Sequence, residues 1–136
     1  MLDIHYICSV INQGECEEKT KIAYTDKLTK EIASKLRANY EYFHKFDNII
    51  VYYDYGQTEL AQILVSVFNT MFANVEFRKI ETNQYKLSQA ADLICTLELL
   101  KIKAESGQLS KSEERMFHSK RELKKDFLKG IGKKEF

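Results

Sequence analysis

The chain has 136 residues, 44% apolar and 30% charged, with a formal net charge of +1. That length fits one domain able to bury a core without metal or disulfide staples, and the near-average apolar and charged fractions suggest neither disorder nor a membrane span. Near-neutral charge argues against strong generic attraction to nucleic acid, and no apolar run approaches the roughly 20 residues that a bilayer span needs.

Met1 is followed by no basic-then-apolar leader, which points to a cytoplasmic protein. Cys8, Cys16 and Cys95 are widely spaced and form no CxxC pair, so reduced thiols are expected and clustered zinc ligands are not.

Residues 2–10 alternate as a strand, with Ile4, Tyr6 and Cys8 on one face and His5, Ile7 and Ser9 on the other. Asn12–Gln13–Gly14 breaks it. A long helix is predicted over 20–46, because Leu28, Ile32, Leu36, Tyr40 and Phe43 recur at three-to-four spacing. Residues 49–53 form a short β-branched and aromatic strand that ends at Asp54–Tyr55–Gly56.

The clearest periodicity follows over 57–72, where Leu60, Ile63, Leu64, Val67, Phe68 and Met71 make one apolar side. Residues 75–80 read as the third strand and 87–105 as another helix. That helix stops at Ser106–Gly107, where glycine supplies a left-handed cap. Ser110 and Glu113 have capping-box spacing and open a final helical region. The order strand–helix–strand–helix–strand–helix–helix predicts an α/β fold with a short parallel sheet. Three strands are few for so much helix, so a second chain or a missing segment is expected to complete the sheet.

Asp54 stands where a parallel strand ends and a helix begins, the place where α/β sheets collect ligands. Its carboxylate either binds a cation or caps the following turn and helix. Asp92 lies in Ala90–Ala91–Asp92–Leu93–Ile94, and the small alanines allow close approach to a sheet. Equally, Ser88, Gln89, Asp92, Thr96 and Lys103 form a solvated polar stripe at helical spacing. Two carboxylates about 4 Å apart repel by roughly 4 kcal/mol at an effective dielectric near 20. If these two converge, a cation or a shared proton must compensate, and magnesium or manganese suits an all-oxygen site. A metal pair would need a third or fourth acid.

Ile49–Ile50–Val51–Tyr52–Tyr53–Asp54–Tyr55–Gly56–Gln57 and Tyr85–Lys86–Leu87–Ser88–Gln89–Ala90–Ala91–Asp92–Leu93–Ile94 resemble the later blocks of a prokaryotic family known as domain of unknown function 3800. The stretch 109–136 is similar to the tail of some members. The resemblance implies a ribonuclease-H-like fold, with Asp54 and Asp92 at two of the family's acidic metal-site positions. It also implies metal-dependent nuclease chemistry on Mg²⁺ or Mn²⁺. The family opens with a strand bearing Asp-Glu-Ser-Gly, which this sequence lacks, and Asp3, followed by Ile4–His5–Tyr6, is a poor substitute.

The expectation is therefore an N-terminally truncated ribonuclease-H-like protein, inactive alone, with no metal required for folding. Its expected partner is a second copy or the missing N-terminal segment. A partner-completed nuclease or phosphoryl-transfer enzyme is the alternative. Between 120 and 134 lie seven basic residues against Glu122 and Asp126. Lys124, Lys125, Lys129, Lys133 and Lys134 would be the contacts if nucleic acid binds. His5, His44 and His118 are scattered, Tyr52, Tyr53 and Tyr55 fit strand propensity as well as base stacking, and Glu59 and Glu98 read as solvated helix positions.

Overall fold

The computed structural model describes residues 4–16, 20–116, 133 and 135–136. Leu2, Asp3, His118, Lys124, Lys125, Lys129 and Lys134 lie outside the described residues. The chain divides into two compact units, Ser9–Ser88 and Met1–Cys8 with Gln89–Phe136. Its described elements are mixed α and β, and among them no helix is long and apolar enough to cross a membrane.

The Ser9–Ser88 unit opens with helix α1 (Lys21–Ala38), whose N-cap Thr20 accepts from the Ala23 N–H at 3.2 Å. The expected helix over 20–46 does not run through. Asn39 donates its side-chain amide to the Lys35 carbonyl at 2.9 Å, and its own N–H is shared between the carbonyls of Lys35 and Leu36. An asparagine that satisfies the preceding turn in this way competes with helix continuation. A short helix α2 (Tyr40–His44) follows.

Phe43 reaches Phe68 and Phe72, with ring centroids 6.5 and 5.7 Å away, and Tyr40 stacks on Phe72 at 5.6 Å. Phe68 belongs to helix α3 (Thr58–Met71), which also buries Ile63 and Val67. Its apolar side is the one that the sequence periodicity marks.

Strands β1 (Ile49–Asp54) and β2 (Val75–Ile80) flank α3 and pair in parallel, with Ile49 opposite Val75 and Asp54 opposite Ile80. α3 packs on this sheet and against α1. Along β1, Ile49, Val51 and Tyr53 are half-buried, whereas Ile50 and Tyr52 are exposed. The pleat thus sends alternate side chains toward α3 and toward an open face.

Among the described residues the sheet has two strands, not three. Residues 4–10 form no ladder. Tyr6 makes an isolated parallel bridge with Glu135, and the Phe136 N–H donates to the Tyr6 carbonyl at 3.1 Å. Alternating hydrophobicity at the start of the chain is compatible with a strand, but a strand requires a continuous neighbour for its backbone groups, and Tyr6 alone is bridged.

The second unit is built on helix α4 (Lys86–Glu105), of which residues from Gln89 onward belong to it. Leu97 and Leu100 are buried, with Ala104 and Leu109 packed against them. α4 ends at Gly107, whose φ of 72° is the left-handed conformation expected of a glycine cap. The capping box is also present. The Glu113 N–H donates to Ser110 Oγ at 3.2 Å, and the Ser110 N–H donates to Glu113 Oε2 at 2.8 Å, opening helix α5 (Lys111–Met116).

Candidate functional site

Asp54 is the last residue of β1 and is half-buried. Its backbone carbonyl accepts from the Gln57 N–H at 3.2 Å, closing the turn into α3. The N-cap of α3 is Gln57, which makes no side-chain cap bond. The turn is therefore closed by backbone, and the Asp54 side chain does not cap the helix. Its carboxylate stands at the carboxyl end of a parallel strand, the position that the sequence assigns to it.

Clefts among the described residues of this unit include two beside the turn that follows β1. One, of about 380 Å³, lies between Tyr53, Tyr55 and Lys79 on the strand side and Thr58, Gln62 and Ser66 on the helix side. Lys79 Nζ sits 3.6 Å above the Tyr55 ring, a cation–π contact that holds the ammonium over the groove wall. The other, of about 460 Å³, is lined by Tyr24, Leu28, Gly56 and Ile63 among others. Asp54 lines neither. Glu59 forms an exposed ion pair with Lys21, consistent with a solvated position.

Asp92 belongs to the other unit and is exposed on α4. Its carbonyl accepts from the Thr96 hydroxyl at 3.0 Å, and Thr96 is exposed as well. In its own surroundings Asp92 matches the polar stripe.

Magnesium and calcium-like cations take six or more oxygen ligands, and a structural transition-metal site takes about four side chains. Among the described residues no three His, Cys, Asp or Glu side chains gather closely enough to hold a metal. Asp54 and Asp92 belong to different units of the chain.

Glu98 departs from its sequence reading. It is only 8% exposed, and its Oε1 accepts from the Tyr6 hydroxyl at 2.7 Å. Lys101 Nζ lies 3.7 Å from the other oxygen. Burial, and secondarily the Glu98 carboxylate, push the Tyr6 phenol well above its ordinary value. Helical spacing showed Glu98 among polar neighbours; it did not show that a residue 92 positions away would cover it.

The open face of the sheet carries a second arrangement that the sequence did not reveal. Arg78 donates from Nη1 to the Tyr52 hydroxyl at 3.1 Å and from Nε to Glu76 Oε1 at 2.7 Å. Glu76 holds the guanidinium more firmly protonated, and the guanidinium lowers the Glu76 carboxyl in return. Tyr85 packs beside Tyr52, with ring centroids 5.8 Å apart. Strand register alone sets this up, since Tyr52 stands opposite Arg78 and Ile50 opposite Glu76.

His5 packs on Phe136 at 5.0 Å and His44 on Tyr40 at 5.4 Å. Cys8, Cys16 and Cys95 are thiols, the last of them exposed. No family model, curated protein or solved structure matches this chain.

Proposed function

We propose that this chain is a non-catalytic interaction module of ribonuclease-H-like architecture that takes a partner strand at the outer edge of β1. The observation that carries the reading is the contrast between the strands. β1 reads Ile-Ile-Val-Tyr-Tyr-Asp, nearly continuous apolar sequence of the kind found in strands buried within a parallel sheet. β2 reads Val-Glu-Phe-Arg-Lys-Ile, with the charges that blunt a sheet edge. Among the described residues β1 nevertheless has a strand on one side only. An apolar strand with an unfilled edge is a template for strand addition.

The ribonuclease-H-like assignment draws support from the parallel β1–α3–β2 unit and from Asp54 at the carboxyl end of a strand. A metal-dependent nuclease completed by a partner's carboxylates is the second reading, favoured by the Asp54 side chain having no capping role.

Calorimetric titration with manganese and a nuclease assay on single- and double-stranded substrates separate the two. The module reading expects no hydrolysis, and it expects partner binding to survive Asp54→Asn and Asp92→Asn. Manganese-dependent hydrolysis that either substitution abolishes overturns it.

A further inference from the structure

We infer that the strand accepted by β1 is the β1 of a second copy of this chain, paired antiparallel with Val51 at the two-fold centre. The inference rests on the module reading and names its partner and register.

Among the described residues, the β1–β2 ladder defines which backbone groups remain at the outer edge. The Ile49 N–H donates to the Asn74 carbonyl and the Tyr55 N–H to the Ile80 carbonyl, each at 3.0 Å. Backbone groups alternate along a strand, so the odd-numbered residues of β1 bond β2 and the groups of Ile50 and Tyr52 point to the outer edge. Beyond them the Asp54 carbonyl is occupied by the Gln57 N–H. The usable edge is thus short and centred on Val51.

Two outward-facing residues separated by one are the repeat of an antiparallel ladder. With two copies related by a two-fold axis through Val51, Ile50 of each exchanges both N–H···O bonds with Tyr52 of the other. The two Val51 residues then face one another as a non-hydrogen-bonded pair, with Cα atoms about 4.5 Å apart.

The side chains fit that register. Ile50 and Tyr52 are 41% and 38% exposed on the open face. In the pairing each exposed isoleucine meets an exposed tyrosine, a favourable aromatic–β-branched cross-strand pair. The Arg78 bond to the Tyr52 hydroxyl already orients that ring. Each row across the four-stranded face would read Glu76, Ile50, then Tyr52 and Arg78 of the second copy, with acid and base at opposite ends.

A parallel alignment in the equivalent register would instead set the two Asp54 residues side by side. The antiparallel arrangement separates them and closes as a dimer, the commonest symmetric assembly. With a net charge of +1 the copies carry little mutual repulsion.

The test uses the full chain carrying Val51→Cys, oxidised and then mapped by peptide mass spectrometry. That mapping separates the new link from any through Cys8, Cys16 or Cys95. Expected is a disulfide joining the two substituted positions, lost when Tyr52→Pro is added. Proline removes an outward N–H while leaving the β1–β2 ladder its donors. Ile49→Cys is the register control, because the two substituted positions would lie roughly 14 Å apart along the strands. Light scattering of the unaltered chain should give twice the chain mass. If Val51→Cys fails to fold, hydrogen exchange on the unaltered chain decides, with the Ile50 and Tyr52 amides slowing as concentration rises.

A monomer at the highest soluble concentration overturns the inference. So does a link at Ile49→Cys as efficient as that at Val51→Cys. Neither result yields hydrolysis, whereas failure of the module reading appears as Asp54-dependent nuclease activity.

Discussion

The phenol of Tyr6 donates to Glu98 Oε1 at 2.7 Å, tying the segment before residue 9 to the middle of α4 within one unit. Glu98 is the buried charged side chain among the described residues, and Tyr6 with Lys101 is what makes its burial tolerable. A carboxylate so enclosed is costly to leave short of a partner.

Tyr6→Phe keeps the ring and removes the donor. The expected loss is about 1–3 kcal/mol, the range for leaving a buried polar group unsatisfied. Urea denaturation measures it, and a cycle with Glu98→Gln isolates the coupling. Additive effects of the two substitutions would show that the bond contributes nothing specific.

The same pair gives a dependence on alkaline pH. The folded protein raises the Tyr6 phenol above its ordinary value of 10.0, so the fold favours the protonated form. The unfolded chain ionises first, and the contribution is whole below pH 10 and declines as pH rises toward the folded-state value. Phenolate absorbance, taken as the difference between the unaltered chain and Tyr6→Phe, should show Tyr6 ionising well above the ordinary value.

Glu113 behaves in the opposite sense. The Lys103 ammonium at 2.8 Å, followed by the Ser110 N–H, draws its carboxyl from 4.5 down to about 2. A depressed carboxyl stabilises the fold above the unfolded value and loses that contribution as pH falls from 4.5 toward 2. Carbon-detected titration of Glu113 should give a midpoint near 2, and Lys103→Met should move it upward. Ser110→Ala removes the other half of the box and should cost about 0.5–2 kcal/mol.

Two glycines separate conformational from steric need. A Cβ at either Gly107 or Gly56 would meet nothing within 4 Å, but only Gly107 has a left-handed φ, at 72°. Gly107→Ala should destabilise by about 1–2 kcal/mol through backbone strain alone. Gly56→Ala should not destabilise. Thermal melts of the two variants make the comparison.

Phe68 joins α3 to the aromatic cluster of Phe43 and Phe72. Phe68→Ala should cost about 3–5 kcal/mol. Val65 is 37% exposed on the same helix, and Val65→Ala should fall within about 0.5 kcal/mol of the unaltered chain. Guanidinium unfolding distinguishes them.

Local features were legible in the residues themselves. The helix over 57–72 appears as Thr58–Met71 and the strand over 75–80 as Val75–Ile80, because side-chain period reports the face that a segment buries. Gly107 and the Ser110–Glu113 box were readable for a similar reason, since a cap is satisfied within a few residues. Asp54 at a strand end was readable as a position, though whether its side chain capped α3 was not.

What the sequence determined by itself was thus the α/β character, the periodic elements and their caps, all set by interactions between residues close along the chain. Only the tertiary structure decided that Tyr6 would make one bridge and no strand, and that Glu98 would be buried beneath Tyr6. Each of these depends on a partner supplied by folding, and neither a ladder bond nor a desolvated carboxylate leaves a periodic trace in the segment that bears it.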